Sequence, residues 1–218
     1  MEKKYKVNDI FYSLQGEGAN TGRPAVFVRF AGCNLQCPFC DTEFDSFFNC
    51  SADYIVTEVM AHCIDHGVFA CRGMMVVLTG GEPTLQADEV LIDKLHEEGF
   101  FVAMESNGTL AAPGNVDWLT VSPKNWWKAR NKSWVQNSAH CNEMKIVFDE
   151  QTPARLAAQR SLFNMQRADN VPPLLFLQPC DTGNPERNAS IVRLCVDYIK
   201  RNPQWRLSLQ THKLIGID

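Results

Sequence analysis

Five apolar runs of this 218-residue chain each lead directly into a polar motif, and this arrangement limits the folds available to it. The run AVFVRF (25–30) precedes GCNLQC, and MMVVL precedes TGGEP. The same order recurs before ESNGT, SPK and QPCD. Helical patterns at about 53–66, 86–98, 153–163 and 186–201 separate some of the runs. The alternation predicts parallel strands joined by crossover helices.

The alternation is interrupted in the middle of the chain. Only about a dozen residues separate FFVAMES from DWLTVSP, and the stretch that follows shows no helical stripe. We therefore expect an α/β fold, an incomplete, trimmed (β/α) barrel with about six parallel strands and its polar motifs at the strand carboxyl ends. A doubly wound open sheet is the alternative. Residues 1–218 fit a single domain, because one core remains workable up to about 250 to 300 residues.

Composition narrows the class of ligand. The net charge of −4 argues against a broad phosphate-binding face, so a small molecule is a better candidate than nucleic acid. The amino-terminal sequence MEKKYKVNDIF lacks the apolar run of a signal peptide, and no run of about 18 apolar residues could span a membrane. We expect a cytoplasmic protein whose nine cysteines are reduced, so a local cysteine cluster indicates metal binding or catalysis.

Cys33, Cys37 and Cys40 form such a cluster, in CNLQCPFC. Thiolates favour zinc or iron–sulfur over hard cations. Structural zinc needs a closed shell of four ligands, for which Cys50 is the nearest candidate. A [4Fe–4S] cluster can instead use three cysteines and leave one iron open for a ligand that is to be activated.

The C-x3-C-x2-C spacing, with an aromatic residue before its last cysteine, resembles the signature of the radical S-adenosylmethionine (SAM) superfamily. TGGEP (79–83) resembles the glycine-rich motif of that superfamily, and SNGT, SPK and QPCD resemble its later SAM-contacting positions. The resemblance implies that Cys33, Cys37 and Cys40 bind a [4Fe–4S] cluster. It also implies that SAM contacts Phe39, Cys40, Asp41, Gly81, Ser106, Ser122, Pro123, Lys124, Gln178, Pro179, Cys180 and Asp181.

Both ends of the chain resemble the 7-carboxy-7-deazaguanine synthase family, through FYSLQGEG (11–18), GRPAVFVRFAGCNLQCPFCDT and the closing WRLSLQTHKLIGID. That family converts 6-carboxy-5,6,7,8-tetrahydropterin to 7-carboxy-7-deazaguanine, with ring contraction and loss of ammonia, for queuosine and other 7-deazapurines. The resemblance implies that the terminal segments close the substrate site and that Thr42 binds Mg²⁺. The implied substrate contacts are Leu14, Gln15, Gly16, Arg29, Thr79 and Asp218.

Two of these contacts, Arg29 and Asp218, also suit the chemical groups of the substrate. The guanidinium of Arg29 suits a carboxylate by paired hydrogen bonds, and the adjacent N–H donors of a pterin suit a carboxylate acceptor. The family supplies its C-terminal carboxylate there, which assigns this role to Asp218. Glu17, Glu105 and His212 are candidate polar neighbours of the substrate, none of them assigned as acid or base.

The expected partners are a second copy of the chain, as a homodimer, and a flavodoxin- or ferredoxin-type electron donor. Residues 125–134, rich in tryptophan and basic side chains, are expected to form a partner surface or a lid. Two other functions stay open. One is a radical SAM activase that generates a glycyl radical on a partner protein, and the other is a zinc-stabilised binding module that uses Cys50.

Overall fold

A computed structural model describes residues 2–40, 42–43, 46–69, 71–124, 126, 140–158 and 171–217. Within these ranges one sheet contains nine strands, in the spatial order β3-β1-β2-β4-β5-β6-β7-β8-β9. The strands are β1 (Tyr5–Leu14), β2 (Pro24–Phe30), β3 (Phe48–Cys50), β4 (Met75–Gly80), β5 (Phe101–Ser106), β6 (Trp118–Val121), β7 (Glu143–Phe148), β8 (Leu174–Pro179) and β9 (Trp205–Leu207).

Seven of these strands, β2 and β4 to β9, form a continuous parallel run. They include the five apolar runs that lead into polar motifs, and their number agrees with the expected count of about six parallel strands. The amino-terminal edge was not predicted: β1 pairs antiparallel with both β2 and β3. The only sequence signal for β1 is the alternation of apolar and polar residues, since Tyr5 and Val7 are buried while Lys6 between them is exposed.

The helices within the described ranges are α1 (Ala52–Asp65), α2 (Glu89–Glu97), α3 (Thr152–Ala158), α4 (Pro185–Arg201) and α5 (Thr211–Ile215). Ser51 caps α1, and its hydroxyl accepts a hydrogen bond from the Tyr54 N–H. Only the first part of the predicted 153–163 helix lies in the described ranges. Residues 107–117 contain no helix, which confirms the interruption of the βα alternation.

The two faces of the sheet have different partners. One face packs against α1, α2 and α4 in a single core that includes Ile55, Leu91 and Ile191. The opposite face carries a small apolar cluster of Ala25, Met75, Val77 and Ala103 near the amino ends of the strands. Helices on one face, with no pairing between the β3 and β9 edges in the described ranges, fit an unclosed barrel and not a doubly wound sheet.

Among the helices within the described ranges, none has the length and apolar character needed to cross a membrane.

Candidate active site

A cavity of about 600 Å³ opens beyond the small apolar cluster, at the carboxyl ends of the strands. Successive strand side chains point to opposite faces, so residues two apart line the same side. Arg29 of β2, Thr79 of β4 and Glu105 of β5 thereby reach the cavity, as do Lys145 and Val147 of β7. The parallel run therefore places one polar position from each of several strands around a common space.

The three clustered cysteines all border this cavity. The loop is held locally by a hydrogen bond from the Cys40 N–H to the Cys37 carbonyl, at 3.1 Å. The Cys33 sulfur accepts a hydrogen bond from the Leu35 N–H at 3.4 Å. Burial raises the pKa of Cys33 and Cys37 above that of an ordinary thiol, so binding of a metal cluster must release their protons.

The donor set fits an iron–sulfur cluster better than structural zinc. Within the described ranges, no group of three or more His, Cys, Asp or Glu side chains is arranged to hold a metal ion, and this includes the three clustered cysteines. Cys50 is buried in β3 with its thiol directed at the Tyr5 carbonyl, and it does not border the cavity. Cys180 borders the cavity from the end of β8, where its thiol points to the Asp181 carbonyl at 3.6 Å. Three thiols on one loop suit a cluster with one open iron.

Glycine is required at Gly80, the last residue of β4, and at Gly81, because Gly80 contacts the backbone of Phe30 and Gly81 contacts the start of the cysteine loop. The Gly81 N–H donates to the Phe30 carbonyl and the Glu82 N–H to the Gly32 carbonyl, both at 2.9 Å. Gly80 has a φ of +116°, and a Cβ there would lie 2.2 Å from the Phe30 carbonyl oxygen. The absence of side chains at these two positions thus allows β4 and the start of the cysteine loop to approach closely.

The motif after β5 is tied to both of these loops. The Glu82 carboxylate is buried and accepts hydrogen bonds from the Ser106 hydroxyl at 2.8 Å and the Asn107 N–H at 2.7 Å. The Asn107 side chain in turn donates to Asn34 of the cysteine loop at 3.0 Å. Sequence reasoning assigned no role to Glu82, although its place directly after the paired glycines could have indicated one. Its contacts fix the relative positions of three motifs.

Most of the residues predicted to contact SAM line the cavity. Lys124 donates to the Ser122 hydroxyl at 2.7 Å, and its ammonium lies 5.8 Å from the centre of the Phe39 ring. Pro123 is buried and does not border the cavity, and Asp41 lies outside the described residues. The predicted positions that do border it are Phe39, Cys40, Gly81, Ser106, Ser122, Lys124, Gln178, Pro179, Cys180 and Asp181.

The two terminal motifs meet at the cavity. The Thr211 N–H and hydroxyl both donate to the Gly16 carbonyl at 2.9 Å. A Cβ on Gly16 would lie 2.0 Å from Nδ1 of His212, so only glycine leaves room for the imidazole. α5 holds these contacts and was not predicted from the sequence.

The predicted substrate contacts that the structure describes also border the cavity: Leu14, Gln15, Gly16, Arg29 and Thr79. The Arg29 guanidinium lies 4.9 Å from the centre of the Phe11 ring, and no carboxylate in the described ranges pairs with it. Thr42 borders the cavity as well. Asp218 lies outside the described residues, and its neighbour Ile217 is in the lining.

A charged network that the sequence analysis did not predict lies on the β7 side of the cavity. The Lys145 ammonium contacts the Glu17 carboxylate and lies 3.0 Å from Glu105. Although burial opposes ionisation, Lys145 and the amides of Gln210 and Gln178 lower the pKa of Glu17 to about 2. Burial raises the pKa of Glu105 despite the Lys145 charge. A lysine inside the buried pattern NEMKIVF was the available signal for this network.

Comparison with known proteins agrees with this geometry. The Radical SAM superfamily model matches residues 27–126. A 7-carboxy-7-deazaguanine synthase from Bacteroides thetaiotaomicron is 42% identical over 97% of this chain and 98% of its own length. One from Bradyrhizobium diazoefficiens is 41% identical over 98% of this chain and 99% of its own length.

Comparison with solved structures shows that the fold is also similar to that of a known protein. The crystal structure of QueE from Escherichia coli superimposes with a TM-score of 0.71 at 28% identity, over 94% of this chain and 93% of that one. Membership of the radical SAM superfamily implies a [4Fe–4S] cluster and SAM as cofactors, which the three cavity thiols suit. With relatives 41–42% identical over nearly its whole length, the chain belongs to the 7-carboxy-7-deazaguanine synthase family.

Proposed function

We propose that this protein converts 6-carboxy-5,6,7,8-tetrahydropterin to 7-carboxy-7-deazaguanine by SAM-dependent radical chemistry, in the biosynthesis of queuosine and related 7-deazapurines. The observation that carries the proposal is a single cavity whose lining includes the three cluster cysteines together with Arg29, Gln15 and Gly16. Family membership supports the same reaction. Loss of ammonia breaks a carbon–nitrogen bond, so the enzyme would be a carbon–nitrogen lyase.

The cofactors would occupy the cysteine side of the cavity. Cys33, Cys37 and Cys40 would bind three irons of the [4Fe–4S] cluster and leave the fourth open to SAM. When bound, cluster and SAM supply a 5′-deoxyadenosyl radical as the hydrogen-abstracting agent. Gly81 and the half-buried Lys124 border the same cavity and would orient SAM.

The substrate would occupy the other side. Arg29, unpaired among the described residues, would bind the substrate carboxylate, and Phe11 would hold its guanidinium in place. Gln15, Leu14, Gly16 and Thr79 would border the pterin. Asp218, which follows the cavity residue Ile217, would accept the pterin N–H groups.

We further propose a Mg²⁺ ion at Thr42, because this residue follows the cysteine loop closely in sequence and borders the same cavity. Magnesium prefers hard oxygen ligands and retains several waters, so one hydroxyl together with substrate oxygens suffices to hold it. The physiological assembly would be a homodimer served by a flavodoxin- or ferredoxin-type reductant. Residues 1–218 would act as one radical SAM domain whose two terminal segments close the substrate site.

The test is a single anaerobic turnover experiment. Reconstituted protein should contain about four irons per chain and, with reductant, SAM and carboxytetrahydropterin, release 7-carboxy-7-deazaguanine, identified by mass. A Cys37→Ala variant is the matched control and should lose both iron and product. SAM cleavage without any deazapurine product would overturn the proposed reaction and redirect attention to other radical SAM activities.

The magnesium site needs a separate measurement. Thr42→Val keeps the shape of the side chain and removes its oxygen, so it should raise the Mg²⁺ concentration needed for half-maximal turnover. Thr21→Val, at an exposed turn outside the cavity, serves as the control. Equal magnesium dependence in the three proteins would remove Thr42 from the site.

A further inference from the structure

We propose that Lys145 is a positioning residue, which holds Glu17 and Glu105 in fixed places and thereby sets the substrate end of the cavity; this inference rests on the proposed function. Lys145 lies in the middle of β7, on the face that points to the cavity. Its side chain is only 5% exposed, so its charge must be satisfied inside the protein.

Three separate segments of the chain meet at this ammonium. The Lys145 Nζ contacts Glu17, from the loop after β1, and lies 3.0 Å from Glu105, at the end of β5. Since β7 lies between β6 and β8 in the sheet, no backbone pairing joins it to either of the segments that carry these carboxylates. The lysine is therefore a side-chain link between parts of the site that the sheet does not connect directly.

Each of the two carboxylates is in turn hydrogen-bonded to glutamine side chains that border the proposed substrate site. Glu105 accepts a hydrogen bond from the Gln15 amide at 3.3 Å, and Gln15 accepts one from the Glu17 N–H at 3.1 Å. Glu17 also accepts from Gln178 and Gln210, both at 3.0 Å. Displacing the ammonium would thus disturb the amino-terminal loop, the end of β8 and the segment before α5 together.

Electrostatics explain why the central residue is a cation. Two buried carboxylates that face each other repel unless a positive charge compensates them. Among the described residues, the other charged groups around Lys145 are Glu143 on its own strand and Lys124 after β6. Although burial lowers it, the charges of Glu105 and Glu17 raise the pKa of Lys145 above its ordinary value. Lysine therefore stays charged throughout the physiological range.

The first measurement asks whether the charge matters. In Lys145→Met, Glu17 and Glu105 lose their compensating cation, so their pKa values should rise in the folded state. A raised carboxyl pKa favours folding at low pH, and this advantage is lost as pH rises. The melting temperature of Lys145→Met should therefore fall further below wild type at about pH 8 than at about pH 5.5. Lys94→Met removes an exposed ion pair with Asp53. Its melting temperature should stay close to that of wild type at both pH values.

The second measurement asks whether position matters. Lys145→Met should lower kcat/KM for carboxytetrahydropterin by roughly 100-fold, mainly through KM, because misplaced binding groups cost orders of magnitude. SAM cleavage in the absence of the pterin should fall by a much smaller factor than kcat/KM for the pterin. Lys145→Arg keeps the charge with a different shape, so it should restore the wild-type dependence of melting temperature on pH while KM stays raised.

These measurements distinguish failure of the role inferred for Lys145 from failure of the proposed reaction. If wild type makes no deazapurine, the proposed function fails, while the melting-temperature comparison still decides the electrostatic role of Lys145. A deficit in Lys145→Met that is equal at both pH values would overturn that role and leave a space-filling one. Wild-type KM in Lys145→Arg would overturn the positioning role, and this result remains available if Lys145→Met does not fold.

Discussion

Gly81 packs directly on the backbone of Gly32, so that a Cβ on Gly81 would lie 2.0 Å from the Gly32 carbonyl oxygen and 3.0 Å from the Cys33 nitrogen. No flexible side chain is available to move away. The glycine after β4 and the first cluster cysteine therefore occupy one rigid unit. A change at the glycine must be transmitted to the cysteine loop.

Gly81→Ala is expected to destabilise the protein by about 1–3 kcal/mol, as overpacking does, and to impair cluster binding beyond that loss. Iron per chain after anaerobic reconstitution measures the effect on the loop, and urea unfolding measures stability. Gly114→Ala is a suitable control, since a Cβ there has nothing nearer than 3.7 Å. Full iron content in Gly81→Ala would contradict the coupling.

Gly16 and His212 should show a strong interaction in a double-mutant cycle. Gly16→Ala places a methyl group against the imidazole, so it should destabilise the protein by about 1–3 kcal/mol. His212→Ala removes the obstructing ring. The double variant should therefore be more stable than the sum of the single effects predicts, by about 1 kcal/mol or more. Additive effects in urea unfolding would mean that the side chain of His212 does not contact residue 16.

Glu143 should make the stability of the protein depend on pH near neutrality. Its buried carboxylate accepts the Ala19 N–H at 2.8 Å, and burial together with Glu105 raises its pKa from 4.5 to about 7. Because the folded pKa exceeds the unfolded one, its stabilising contribution is complete below about pH 4.5 and is lost as pH rises through about 7.

Glu143→Gln retains the shape and the acceptor but does not titrate. Its free energy of unfolding relative to wild type should therefore increase between about pH 5 and about pH 8, by up to about 3 kcal/mol at 1.36 kcal/mol per pKa unit. Urea unfolding at both pH values gives the comparison. A difference that does not change with pH would show that Glu143 does not titrate in this range.

The sequence predicted those parts of the site that depend on local spacing and strand ends. The five apolar runs that lead into polar motifs all became strands of the parallel sheet, and the motifs converge because parallel strands share their carboxyl edge. Glu82 and Lys145 were missed because their partners are distant in sequence and only packing brings them together. The edge strand β1 and the short α5 were missed because neither has a continuous apolar pattern.

Cys50 distinguishes the iron–sulfur site from a zinc site. It is buried between β1 and β3, where its thiol faces the Tyr5 carbonyl at 3.7 Å. Cys50→Ser keeps a donor at this position, so it should cost only about 1 kcal/mol and retain about four irons per chain. Cys33→Ser is the matched comparison and should lose the cluster. Loss of metal in Cys50→Ser would restore the zinc interpretation.

Arg29 should account for recognition of the substrate carboxylate. Its guanidinium borders the cavity over the Phe11 ring and has no carboxylate partner in the described ranges. Lysine keeps the charge but lacks the planar fork, so Arg29→Lys should lower kcat/KM by roughly 10–100-fold and Arg29→Met by more. SAM cleavage without the pterin should be unaffected.

A substrate analogue makes this prediction specific. Tetrahydropterin without the 6-carboxylate should bind weakly to wild type, and its affinity should barely change in Arg29→Met, because the group that Arg29 binds is missing. Arg23→Lys is the control, since Arg23 packs over Phe101 and donates to the Gly73 carbonyl outside the cavity. A specific contact to the carboxylate can affect only the ligand that carries the carboxylate. If Arg29→Met weakened the binding of both ligands equally, Arg29 would therefore contribute to the general shape of the cavity and not to carboxylate recognition.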